Sequence, residues 1–88
     1  MNNSYCVYQA VNAELREVVV GVSSNPDLRL IQDIHRRVPP TGMSQWQPYQ
    51  PIEYRVVVKD LELGQAADFA NKYSRSVELK PFRVILTS

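Results

Sequence analysis

Disulfides, zinc-ligand clusters, membrane-length apolar runs and a strong charge of either sign are all missing from this sequence. Its 88 residues include one cysteine and one histidine. Cys6 alone cannot form an internal disulfide, which fits a reducing, cytoplasmic setting. One His and one Cys cannot build a zinc site, so no metal and no cofactor are expected. The strongly apolar runs reach only about five residues, against roughly 20 needed to span a bilayer. Residues 1–5 (MNNSY) lack the basic and apolar segments of a signal peptide. Neither a membrane role nor secretion is therefore expected. Glycine is scarce at 3 residues, and no Gly-rich phosphate loop, Ser-His-Asp order or paired-carboxylate motif occurs. Ten basic against nine acidic residues leave a net charge of +1, so any basic patch must be local.

What is present reads as one small globular domain over 1–88, with its core at about 5–87. Apolar residues make up 44% and charged residues 22%, which argues against disorder. A chain this short has a modest core, so homo-oligomerisation is a reasonable expectation. Residues 5–11 (YCVYQAV) and 17–22 (EVVVGV) read as strands around a turn at 12–15. The valine triplet predicts burial on both faces and a central position in the sheet. Gly21 within it predicts close approach of another backbone, helix or ligand. Asn25 as N-cap and Pro26 at the first helical position start a helix that runs to about Arg37. Leu28, Ile31 and Ile34 or His35 form its inner stripe, and Pro39-Pro40 stops it. A Pro-rich loop over 39–51 carries Trp46 and Tyr49 and has no apolar period to tie it down. Residues 53–59 predict a third strand. Residues 63–74 predict a helix with Ala66, Ala67, Phe69, Ala70 and Tyr73 inward, and 83–87 a last strand. The result is an α+β fold of order ββαβαβ, with a small mixed or antiparallel sheet and two helices.

Three features together resemble the GIY-YIG nuclease domain, over roughly residues 5–75. Cys6-Val7-Tyr8 stands where that family has Gly-Ile-Tyr, and Val19-Val20-Gly21 where it has Tyr-Ile-Gly. Residues 21–29 (GVSSNPDLR) match its glycine, Ser/Thr, Asn-Pro and helix-opening catalytic arginine. A loop tryptophan, a valine-rich strand and an alanine-rich helix recur in its structure-specific endonuclease branch. The resemblance carries over Tyr8 and Arg29 and implies that they converge on one side of the sheet. It departs at the second motif tyrosine, which is Val19, and at the metal-binding glutamate, which falls at Ala70 or Asn71. His35 also lies further along the helix than the family pattern. Without the carboxylate that would anchor Mg²⁺, the resemblance implies a catalytically inactive domain.

Each candidate residue has a functional and a structural reading. Arg29 faces a phosphate or pairs with Asp33 one turn on. Tyr8 is a half-buried strand residue or, with Tyr5 and Tyr54, part of a platform for a base. His35 is expected to serve the helix dipole at the C-terminus, and Cys6 to be a buried thiol. Arg36 and Arg37 either compensate the same dipole or form, with Trp46 and Tyr49, a clamp for phosphate and base. The expected ligand-binding set is thus Tyr8, Arg29, Arg36, Arg37, Trp46 and Tyr49. The leading expectation is a non-catalytic domain that binds a nucleotide or nucleic acid. A stand-alone signalling-nucleotide sponge of this size would suit viral counter-defence. The alternatives are a homo-oligomeric module that grips a protein partner through Trp46 and Tyr49, and a weak endonuclease.

Overall fold

The computed structural model describes residues 4–47 and 50–87. Two strands, β1 (Tyr5–Asn12) and β2 (Glu17–Ser23), form an antiparallel hairpin. Asn12 fixes both its turn and its surroundings. The side chain is fully buried, its Oδ1 accepts the Leu15 N–H at 3.1 Å, and its Nδ2 donates to Gln50 Oε1 at 2.8 Å. Helix α1 (Leu28–Arg37) follows, then a short 3₁₀ turn over Thr41–Gln45. Strand β3 (Ile52–Leu61) adds antiparallel to β1, helix α2 (Leu63–Tyr73) follows, and β4 (Arg83–Leu86) pairs parallel with β2. The four-stranded mixed sheet has the order β3-β1-β2-β4. This is a small α+β domain with two helices. Among the described residues, no helix is long and apolar enough to cross a membrane.

Strand alternation divides the core in two, because successive side chains leave a strand on opposite faces. On one face Val7, Val18 and Val20 pack with Ala66 and Ala70 of α2 and with Leu79. On the other, Tyr8, Ala10 and Val19 pack with Ile31 of α1 and Met43 of the 3₁₀ turn. Each face is thus covered by one helix, and Val18, Val19 and Val20 are all buried, as their central strand requires.

Several local details differ from the sequence expectations. The N-cap of α1 is Asp27, whose side chain accepts from the Arg29 N–H; Asn25 instead accepts the Asp27 N–H at 2.9 Å. Pro26 therefore precedes the helix rather than opening it. The inner face of α2 is narrower than its apolar residues imply, with Ala67 and Phe69 exposed while Ala66 and Ala70 are buried. The 39–51 segment is not a structureless loop. Its 3₁₀ turn buries Met43 and sets Gly42 against Ile85.

Gly21 is closely approached, but by a side chain rather than by a backbone, helix or ligand. It pairs with Tyr8 across the hairpin, and the Tyr8 ring lies over it. A Cβ added there would stand 2.5 Å from the Tyr8 hydroxyl oxygen and 2.6 Å from the ring. Gly64, within α2, has nothing within 4 Å of such a Cβ. Gly21→Ala is expected to destabilise the protein by about 1–3 kcal/mol through forced displacement of the ring. Gly64→Ala should be neutral or stabilising by up to about 1 kcal/mol. Urea unfolding of both variants checks the contrast; equal midpoints would contradict it.

Candidate functional site

The site begins with a helix that has few apolar residues to bury. On α1 only Ile31 and His35 are buried, while Leu30 and Ile34 are exposed. Leu28, Ile31 and His35 follow one another at three and four residues, which places all three on one helix face. That face lies on Tyr8, and β3 brings Tyr54 alongside from the edge of the sheet. The imidazole thereby enters between two phenols. The Tyr8 hydroxyl lies 2.8 Å from Nε2 of His35, and the Tyr54 hydroxyl 2.9 Å from Nδ1. The rings are tilted against one another, with centroids 5.4 and 5.6 Å apart.

Burial governs the protonation of this chain of three. It lowers the His35 pKa from its ordinary value and pushes the Tyr8 hydroxyl up to about 12, with Tyr54 and Cys6 adding to the latter shift. Tyr54 is pushed to about 12 by the same burial, against the pull of the Arg36 guanidinium. The ring is therefore neutral near pH 7. A neutral imidazole has one donor and one acceptor nitrogen, so one tyrosine donates to it and the other accepts from it. This corrects the expectation for His35: it stands in the last helical turn, but as a buried neutral group and not as a charge on the dipole.

Beside this chain a pocket of about 450 Å³ opens at the C-terminal half of α1. Gln32, His35 and Arg36 of α1 form one wall, Met43 and Trp46 a second, and Ile52 and Tyr54 of β3 a third. Gln47 and Gln50 complete the rim with Pro39. Among the described residues, Arg36 is the one formally charged lining residue. Trp46 is held in place because its Nε1–H donates to Glu17 at 2.6 Å while its ring packs on the core. Glu17 also takes Arg83 at 3.2 Å, which ties the pocket wall to β4. Gln50 is committed as well, accepting from Asn12 and from the Gln47 N–H. Gln32 and Arg36 also line the pocket and, among the described residues, are not committed to such a bond.

The sequence candidates are distributed unevenly over this geometry. Arg36 and Trp46 line the pocket. Tyr8 is buried beneath it, at 6% exposure, and reaches it only through His35. Arg29 is exposed and outside the lining, so Tyr8 and Arg29 do not meet in this cavity. Asp33 pairs with Arg37 at 3.8 Å rather than with Arg29, and Arg37 is also outside the lining. Tyr49 lies outside the described residues. Tyr5 belongs to the α2 face and cannot join Tyr8 and Tyr54 in one platform. Cys6 is buried, as expected of a structural thiol, with burial raising its pKa. His35 and Gln32 enter the site without having been singled out for it, and Tyr54, named only as part of a platform with Tyr5 and Tyr8, enters as a pocket wall. The available signals were the 28-31-35 spacing in α1 and the alternation of Ile52 and Tyr54 in β3.

A divalent metal of the kind implied by the nuclease resemblance does not fit these residues. Ala70 packs with Val7, Val18 and Val20 on the face opposite Tyr8, and Asn71 is exposed on α2. Among the described residues no group of three or more His, Cys, Asp or Glu could hold a metal ion.

The His35 shift has a definite sign. Its folded pKa is below the unfolded value of about 6.5, so the unfolded chain binds the extra proton between the two values. Stability is therefore expected to be full above about pH 6.5 and to fall as the pH drops through the folded pKa. His35→Gln should lack that acid limb. Urea midpoints of both proteins from about pH 7.5 to 5.5 check this; parallel profiles would contradict it. Comparison of the chain with protein families, curated proteins and solved structures returns no match.

Proposed function

We propose that this domain is a non-catalytic, nuclease-like module that binds a phosphate-bearing ligand of nucleotide type in the pocket at the end of α1. The observation that carries the reading is the composition of the walls. One guanidinium, Arg36, stands among amide and aromatic groups, with no carboxylate lining the opening among the described residues. A guanidinium in such a place suits the bidentate, charge-assisted bonds that phosphate accepts. The Trp46 and Tyr54 rings offer faces to a base, and the Gln32 amide supplies both a donor and an acceptor to its edge.

The nuclease-like and inactive parts of the reading have separate support. The ββαβαβ order and the Tyr8–Gly21 pairing agree with the two motif segments lying side by side on β1 and β2. Val19 supplies no hydroxyl, and neither Ala70 nor Asn71 supplies a carboxylate, so the groups needed to hold a metal are missing from those positions. A protein-gripping role for Trp46 is weakened by its bond to Glu17, which commits the indole inward.

Calorimetric titration with AMP, other mononucleotides and short linear and cyclic oligonucleotides tests the proposal. A charge-assisted bond is worth about 1.5–3 kcal/mol, so Arg36→Ala should weaken binding roughly ten- to a hundredfold. Wild-type binding should also weaken with salt. Equal binding by the variant would place the site elsewhere, and no binding of any member would turn the reading towards a protein partner.

A further inference from the structure

The edge of the sheet next to the pocket carries a second inference, independent of what the pocket holds. β3 pairs with β1 alone, and among the described residues no strand pairs with its outer edge. An open edge is a template for another strand, and proteins commonly disarm such edges with bulges, charge or irregular backbone. β3 does so in its second half only. Its ladder to β1 slips on both sides of the Val7–Val58 pair, Lys59 is exposed, and Asp60 has a φ of 64°. The first half, from Ile52 to Val56, keeps an unbroken register with β1, and its two charges, Glu53 and Arg55, are of opposite sign.

The open half reads Ile52-Glu53-Tyr54-Arg55-Val56. Laid antiparallel against itself about Tyr54, it matches at every position. Ile52 faces Val56 of the second copy, Glu53 faces Arg55, Tyr54 faces Tyr54, and the remaining pairs repeat by symmetry. Directly opposed residues share a face of an antiparallel pair. The two apolar pairs therefore fall on the α1 side with the tyrosines, and the two Glu–Arg pairs on the α2 side. Glu53 and Arg55 are both exposed; Arg55 donates through Nη2 to the Tyr73 hydroxyl at 3.5 Å, which leaves its other guanidinium donors for Glu53 of the second copy. Moving the register by one residue would place Glu53 opposite Tyr54 or Val56, and moving it by two would place it opposite another Glu53 or Val57; each loses the symmetric charge match.

We infer that β3 is the dimerisation edge of this protein, with a second copy of the chain pairing antiparallel over Ile52–Val56. The contact is isologous, the form that a two-fold axis requires. The joined sheet has the order β4-β2-β1-β3 continued through β3 of the second copy. Both α1 helices lie on the same side, because an in-plane antiparallel pair keeps each face with its like. The two pockets then open next to each other across the axis, with a Tyr54 in the wall of each.

Analytical ultracentrifugation over a range of concentrations reads the outcome, with circular dichroism and thermal melting confirming that each variant is folded. The wild type should be a dimer in reversible equilibrium with monomer. Glu53→Arg sets like charges opposite one another twice and should raise the dimer dissociation constant about tenfold or more. Arg55→Glu should do the same, and the double exchange Glu53→Arg/Arg55→Glu should restore the dimer. A wild type that is monomeric throughout, a dimer untouched by the single exchanges, or a double exchange as weak as the singles would each overturn the inference.

Discussion

An imidazole held between two phenols organises one whole face of this protein. His35 can leave water only because each ring nitrogen keeps a hydrogen-bond partner, Tyr8 on one side and Tyr54 on the other. The arrangement links three elements that are distant in sequence: β1, α1 and β3. It is also how an otherwise polar α1 is tied to the sheet, since Ile31 is its one other buried side chain. Two further constraints follow from it. Residue 21 must be glycine so that the Tyr8 ring can lie across β2, and Tyr54 must stand at the edge of the sheet, where it forms a pocket wall.

The opposite walls of the pocket depend on polar ties rather than on a large core. Asn12 joins the hairpin turn to Gln50, and Glu17 joins the start of β2 to Trp46 and Arg83. The segment after α1 is thus anchored at Met43, Trp46 and Gln50. A small domain with a divided core gains from such cross-links, because an unpaired Asn12 amide in that interior would cost about 1–3 kcal/mol. The same economy of core makes the first half of β3 conspicuous. It leaves a regular, self-complementary strand edge uncovered while the second half is bulged.

Much of the scaffold was legible in the chain. Alternation and β-branched residues locate all four strands to within a few residues, the valine triplet identifies β2 as central, and Gly21 marks a close approach. The end of α1 at Arg37 follows from Pro39-Pro40. The site was less legible because its key residues have two physical uses that sequence alone does not separate. A histidine in the last helical turn suits the dipole as well as it suits a buried hydrogen-bonded slot. Only the partner from β3, 19 residues away, decides between them. Trp46 reads either as an exposed clamp residue or as one folded back onto the core until the fold brings Glu17 within reach. Arg29 and Arg36 recur on one helix face, yet the cavity extends only to Arg36. For α2, the apolar residues outnumber what a narrow helix–sheet contact can cover, so Ala67 and Phe69 remain outside.

The central claim is that a ligand phosphate binds at Arg36 on a platform fixed by the Tyr8–His35–Tyr54 chain. A crystal structure of the protein with bound AMP tests it most directly. The account predicts the phosphate within hydrogen-bonding distance of the Arg36 guanidinium, the adenine against Trp46 or Tyr54, and both His35 nitrogens still bonded to the two tyrosines. AMP bound away from this pocket, or a His35 ring swung out to solvent, would contradict it.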